Sequence, residues 1–339
     1  MKSSDGSRVP HGPVIALTGA TGFLGSHIAD TLLDRGYRVR ASIRATSSLH
    51  WLDGKPVETR QTDLTDTDDC RGFLAGTAGL IHCAGAVSAP SEIIYQTANV
   101  TSTACLLEAA ASAWGRQQDI KGFVLISSLA AHGPAGLDHP ALETDPSRPI
   151  TEYGRSKLAA EKLLSSGDWS FRTAVLRPPS LYGPRDREFL PLIKLATHGW
   201  TGRLGRRMTG LSLVDGRDAA TAAVVLLETE SATGTFFVDD GRTGYDWSAM
   251  ADALGQMAGR RIRTIQLPLI WLKVLSFLAG KSRAARSPVL NRDRINDLET
   301  DGWVCDGSHL AAATGFRASR DAATGFTETL DFYRKEGWL

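Results

Sequence analysis

The chain has 339 residues, 42% of them hydrophobic, and its 38 basic and 37 acidic side chains leave a formal net charge of +1. So even a balance gives no electrostatic footprint for nucleic acid, and the composition is that of an ordinary globular protein. Single cores rarely grow beyond about 250–300 residues, so two lobes are expected.

The first twelve residues are polar and turn-rich, with no apolar stretch of signal-peptide type, and read as a disordered leader that gives no basis for secretion. Val14 to Leu17 then form an apolar run that meets Thr18-Gly19-Ala20-Thr21-Gly22-Phe23-Leu24-Gly25 and an amphipathic stretch through Leu33. This order predicts strand, tight turn and helix. Glycines at the turn let the backbone approach a pyrophosphate, and the free N–H groups at the helix start bind its charge. Gly19, Thr21, Gly22, Phe23, Leu24 and Gly25 are therefore expected to hold a dinucleotide.

Gly36 to Arg44 supplies the second strand, whose end is where an acidic residue would grip the ribose 2′-hydroxyl of NAD. No Asp or Glu occurs between Arg35 and Asp53. Arg44, followed by Thr46, Ser47 and Ser48, suits a 2′-phosphate instead, which favours NADP over NAD. An arginine here also fits a solvated surface.

Strand-like runs at Val57–Gln61, Gly79–Cys83, Phe123–Ser127 and Thr173–Leu176 alternate with helix candidates at Thr67–Ala75, Ser91–Trp114 and Glu152–Ser165. Such alternation predicts an α/β fold, a Rossmann-type doubly wound parallel sheet spanning 13–178. Ligands bind beyond the carboxyl ends of such strands. Asp63-Leu64, then Cys83, Ala84 and Gly85, then Ser127-Ser128 fall at those ends and should surround one crevice. The four cysteines, Cys70, Cys83, Cys105 and Cys305, lack metal-ligand or disulfide-framework spacing, so no metal site is expected and reduced thiols in a cytoplasm are the simpler reading.

Tyr153 and Lys157 stack a phenol and an ammonium one turn apart on one helix face. A fixed positive charge beside a phenol favours the phenolate, so its pKa is expected to fall towards neutrality, where acid–base chemistry works best.

Beyond Arg177-Pro178-Pro179 the alternation loosens. A helix candidate at Glu188–His198 and a Gly/Arg-rich stretch to Gly210 open a smaller substrate-binding lobe, 179–210 and 241–339, that is mostly helical towards the C-terminus. Residues 211–240, with a helix at Gly216–Glu228 and a strand at Thr235–Val238, are expected to return to the main sheet. Leu267–Ala279 is the most apolar stretch and too short to span a bilayer, though Lys281, Arg283 and Arg286 follow it; it reads as a buried or pocket-lining helix, with peripheral membrane contact over 267–286 as the other reading.

These residues together resemble the extended short-chain dehydrogenase/reductases, the epimerase/dehydratase superfamily. The resemblance is carried by Thr18 to Gly25, Asp63-Leu64, Asn99 to Thr103, Ser127-Ser128, Tyr153-x-x-x-Lys157 and Arg177 to Pro184, and so covers nearly the whole chain. It selects Ser128 over Ser127 as the hydroxyl that would hold the reacting oxygen, makes Tyr153 the proton donor or acceptor, and gives Lys157 a second bond to the nicotinamide ribose. It places Asp63 and Leu64 at the adenine, Asn99 in support of the lysine, and Pro178 and Ser180 near the nicotinamide amide; Asp218 falls at a structural or substrate-lobe position. A homodimer through paired helices would be ordinary for the family. His132 stands where a tyrosine is common.

The family divides into reductases, which release altered cofactor, and nucleotide-sugar epimerases or dehydratases, which recycle it. Dehydratases pair a threonine with Asp-Glu where this chain has Ser128-Leu129-Ala130, and epimerases carry an asparagine after the arginine where this chain has Pro178. Both absences favour a reductase of a small, moderately apolar ketone or aldehyde, near the dihydroflavonol-reductase and 3β-hydroxysteroid dehydrogenase branches. A non-catalytic NADP-binding sensor, the remaining reading, would more commonly lose the tyrosine or the lysine.

Overall fold

The structure is a computed structural model that describes residues 11–115, 119–204, 209–267 and 300–339. The start of the expected leader, the apolar run from residue 268 with Trp271, and Lys281, Arg283 and Arg286 lie outside the described residues.

Seven parallel strands make the central sheet: β1 (Val14–Thr18), β2 (Arg38–Ile43), β3 (Val57–Gln61), β4 (Gly79–His82), β5 (Phe123–Ile126), β6 (Thr173–Arg177) and β11 (Gly234–Phe237). Their order is β11-β6-β5-β4-β1-β2-β3, so the chain works outward from β1 in one direction and then restarts at β4 on its other side. The central strands are apolar because both faces are covered; every residue of β1 and of β4 is buried. The free edge at β3 is polar, and there Glu58 accepts from Arg40 on β2 at 2.7 Å.

Helix α1 (Phe23–Asp34) and α7 (Gly216–Glu228) pack together on one face of the sheet. On the other lie α2 (Thr67–Leu74), α4 (Ser102–Trp114) and α5 (Glu152–Ser166). The segment expected as one helix from Ser91 to Trp114 is interrupted: α3 (Glu92–Tyr95) passes through a π-helical stretch, Gln96–Thr101, before α4 begins. Wide turns of this kind are frequent at functional sites, and Asn99 sits within this one.

Pro178 and Pro179 donate no backbone hydrogen bond, and the main-sheet ladder stops there. The chain resumes as β7 (Ser180–Tyr182), which pairs with β10 (Leu213–Asp215) in a small separate sheet. Residues 211–214 thus stay off the main sheet, and only β11 of the segment expected to return pairs with it, against β6.

Next to these lie α6 (Leu190–Thr197), β8 (Trp200–Leu204), β9 (Gly210–Leu211), α8 (Trp247–Ala258), β12 (Arg263–Leu267), β13 (Gly302–Trp303), α9 (Ser308–Thr314) and α10 (Ala322–Lys335). Asp218, on α7, accepts from Ser319 N, Ser319 Oγ and Arg320 N and ties the approach to α10 onto the sheet-covering helix. Among the described residues no helix is long and apolar enough to cross a membrane.

Candidate active site

The crevice opens where the strand order reverses, between β1 and β4. Thr18, the last residue of β1, stitches it: its Oγ1 accepts from Cys83 N at 3.1 Å and Ala84 N at 3.0 Å and lies 2.6 Å from His82 Nδ1. Burial pulls the His82 imidazole down to about 3, so it is neutral. Gly19 has a φ of +72°, and a Cβ on Gly25 would stand 2.0 Å from Gly19 O. Only glycine at both lets α1 start this close to β1.

Helix α1 begins after Gly22 with no side-chain cap and no acid in its first turn. By contrast Asp66, Thr151, Asp215 and Asp246 cap α2, α5, α7 and α8. The first amides of α1, including those of Phe23 and Leu24, therefore have no side-chain cap, as at α3, α6 and α9, but here the positive end of the helix dipole faces the crevice mouth beside exposed Gly22 and half-buried Thr21. That is a cradle for a phosphate anion.

Arg44 is exposed at the end of β2, and its guanidinium has no carboxylate partner among the described residues. The Ser47 hydroxyl accepts from Arg44 N at 2.9 Å, and Ser47 N donates to Arg44 O, so serine and arginine close one turn. At the end of β3, Asp63 accepts from Thr65 N and Thr65 Oγ1, which holds its carboxyl below the usual range, while half-buried Leu64 packs on the core.

The strand end of β5 sends its two serines opposite ways. Ser127 turns inward and donates to Glu161, itself clamped by Arg177 at 2.9 and 2.6 Å. Ser128 turns to the crevice, on the side of the Tyr153 phenol, whose pKa its hydroxyl lowers. Ser128 also accepts from Ala130 N at 3.1 Å, so it caps the local 3₁₀ turn as well as facing the tyrosine. Pro178 O accepts from Leu129 N at 2.9 Å and fixes the same turn from the β6 side, while Ser180 pairs with Leu213.

Tyr153 and Lys157 stand on α5, which Thr151 caps through Gly154 N at 3.0 Å. A Cβ on Gly154 would meet Ala130 O at 2.2 Å, so this glycine is what brings α5 against the Ser128 turn. Lys157 Nζ donates to Ile126 O at 2.7 Å. Asn99 Oδ1 accepts from Ala86 N at 2.8 Å, and its Nδ2 donates to Ala86 O and to Ser156 Oγ, so it joins the Gly85-Ala86 loop to the helix beside Lys157. The Gly85 position itself lies against Asn99 Oδ1 and Lys157 Nζ.

Burial pushes the Tyr153 phenol up to about 12, opposed by the Ser128 hydroxyl, with Cys83, Tyr95 and Glu188 adding to the rise. Burial also draws Lys157 down to about 8, against the pull of Cys83 and Glu161, and raises the Cys83 thiol to about 11. The expected fall of the phenol towards neutrality is therefore not found. Desolvation outweighs the one lowering contact, from Ser128, while the Lys157 ammonium is committed to Ile126, and Tyr153 stays a protonated donor across the neutral range.

Sequence reasoning missed Tyr95, whose ring centroid lies 6.2 Å from that of Tyr153 and whose hydroxyl accepts from Ala89 N at 3.0 Å. It also missed Glu161, whose place on α5 one turn after Lys157 was the available signal. His132 is buried against the Phe237 ring, with Nδ1 3.2 Å from Gly133 O.

Residues 15–238 match the NAD dependent epimerase/dehydratase family. The chain belongs to that family. It is 28% identical over 328 residues to a ceramide reductase of Caulobacter vibrioides, covering 96% of each chain. It is 32% identical over 212 residues to a putative dihydroflavonol 4-reductase of Synechocystis sp., covering 60% of each. Among solved structures, MoeE5 in complex with UDP-glucose and NAD superposes with a TM-score of 0.74 at 21% identity, over 95% of this chain and 99% of that one, a likeness of fold. The chain is thus an NAD(P)-dependent oxidoreductase of the extended short-chain type, with relatives named reductases.

Proposed function

We propose that the protein reduces a ketone or aldehyde on an apolar, lipid-like substrate with NADPH, using Ser128, Tyr153 and Lys157. The observation that carries the reading is the close packing of α5, which bears Tyr153 and buried Lys157, against the turn that Ser128 caps, next to the uncapped start of α1. Gly19, Gly22, Phe23 and Leu24 would hold the cofactor pyrophosphate, Asp63 and Leu64 the adenine side, Arg44 and Ser47 a 2′-phosphate, and Cys83, Ala84, Gly85, Pro178 and Ser180 the nicotinamide end. When bound, the cofactor supplies the hydride. Ser128 holds the carbonyl oxygen, Tyr153 Oη gives it a proton, Lys157 places positive charge beneath the phenol, and Asn99 positions the lysine through Ala86 and Ser156.

An apolar substrate is supported by Val87, Ile93 and Ile94, which are 63%, 76% and 43% exposed on the segment that leads into Tyr95, and by the full-length relative named for ceramide. A panel of long-chain and polycyclic ketones, an oxidised ceramide included, should consume NADPH stoichiometrically, and UDP-sugars should not. Inversion of a UDP-sugar without net cofactor use would overturn the reading.

Two results follow from the geometry. Arg44→Ala should lower kcat/KM for NADPH by about 10–100-fold, the worth of a charge-assisted hydrogen bond, and leave NADH nearly unaffected; equal losses with both would remove Arg44 from the 2′-phosphate. The pH dependence is set by Lys157, whose pKa is depressed from 10.5 to about 8, so its ammonium is present below that pH and lost above it. Reductive kcat/KM should be level below about 8 and fall by about tenfold per pH unit beyond it. A profile flat up to 10.5 would contradict the role of the ammonium.

A further inference from the structure

Strands β8 and β12 pair in parallel, with Arg263 opposite Trp200 and Ile265 opposite Gly202. Lateral partners and residues two apart share a face of a sheet, so Trp200, Arg263 and Ile265 stand on one side of this two-stranded ribbon. Trp200 is 36% exposed, Ile265 44%, and Leu195 near the end of α6 40%. The Arg263 guanidinium lies 5.6 Å from the Trp200 ring centroid.

Charge here has one sign. Residues 190–204 and 253–267 contain Lys194, Arg203, Arg260, Arg261 and Arg263 and no Asp or Glu, in a chain whose total is only +1; Arg203 stands on the other face of the ribbon, where it and Arg261 line a cleft with Asp252, and Lys194, Arg260 and Arg263 remain for the Trp200 side. Helix α8 alongside carries one acid, Asp252. The sequence then runs from β12 directly into the apolar Leu267–Ala279 stretch and Lys281, Arg283 and Arg286.

An indole flanked by arginines and exposed aliphatic side chains matches the chemistry of a bilayer interface: the ring sits at the boundary, the guanidinium groups pair with phosphates, and the aliphatic groups enter the acyl edge. A second copy of the chain would bring the same positive charge to this face and be repelled. A nucleic-acid backbone would leave Ile265 and Leu195 without a partner.

We propose that the β8–β12 ribbon and the adjoining end of α6 dock on an anionic lipid bilayer. Helix α6 starts two residues after Glu188, whose charge acts on Tyr153, and at about 1.5 Å per residue spans about 12 Å to the docking face. Docking would bring the candidate active site to the source of an apolar substrate, yet the proposal stands apart from the reaction assigned above.

The full chain is sedimented with phosphatidylcholine vesicles and with vesicles that also contain phosphatidylglycerol. Binding should require the anionic lipid and weaken with salt. Arg260→Gln with Arg263→Gln should lower partitioning by roughly 30-fold, about fivefold per arginine. Trp200→Ser with Ile265→Ser should also weaken binding, and neither pair should alter turnover of a water-soluble ketone. Should the strand substitutions disturb folding, judged by circular dichroism, Lys194→Gln with Arg260→Gln on the exposed helix and turn replaces them. No binding to anionic vesicles, or binding that these substitutions leave unchanged, would overturn the proposal. So would a matching loss of duplex DNA binding or of self-association with no vesicle binding.

Discussion

Tyr153→Phe should give a folded protein that binds NADPH normally and reduces its substrate about 10²–10⁴-fold more slowly, the range removed with a positioned general acid. Phenylalanine keeps the ring that faces Tyr95 and loses only the hydroxyl on the Ser128 side. Because burial keeps that hydroxyl protonated to about 12, the mutation deletes a donor and no charge, so stability should change little. Cofactor affinity measured by fluorescence and turnover measured by NADPH absorbance separate the two effects. Turnover within a few-fold of the parent would remove Tyr153 from the chemistry and favour a sensor that binds cofactor without using it.

Arg177→Ala should be the most destabilising single change near the site, by about 3–5 kcal/mol. Arg177 and Glu161 are 5% and 6% exposed, so removal of the guanidinium leaves a nearly buried carboxylate whose one remaining partner among the described residues is the Ser127 hydroxyl. The guanidinium also links to Ser147 Oγ at 3.0 Å and lies 5.5 Å from the Phe237 ring centroid. Urea unfolding measures the loss. The double variant Arg177→Met with Glu161→Leu should recover much of it, since the cost lies in the unpaired charge. A loss below about 1 kcal/mol for the single variant would show that the pair is solvated and not the clamp beneath β5 and β6.

Most of the sheet was legible because its signals are local. The apolar runs at β1, β4, β5 and β6 agree with the expected strands to within a residue or two, since a strand buried on both faces has little choice of residue, and the polar edge strand β3 agrees as well. The glycine turn was equally plain: Gly25 can be nothing larger against Gly19 O. Contacts between distant segments were not legible. Nothing local says that β8 pairs with β12 some sixty residues on, or that β10 leaves the main sheet for β7. The π-helical turn at Asn99 and the desolvation of half-buried Tyr153 and buried Lys157 are also tertiary effects. They reverse a pKa expectation that the four-residue spacing alone supported, because spacing reports the neighbouring charge and not the desolvation that opposes it.

Net hydride transfer to an external carbonyl is the central claim, and product labelling tests it most directly. With NADPH deuterated at the transferring carbon and an apolar ketone that the enzyme turns over, the alcohol should carry deuterium at its carbinol carbon, with one NADP formed per alcohol. Unlabelled product with the cofactor returned unchanged would mean that this site recycles its hydride, as an epimerase does, and would contradict the account.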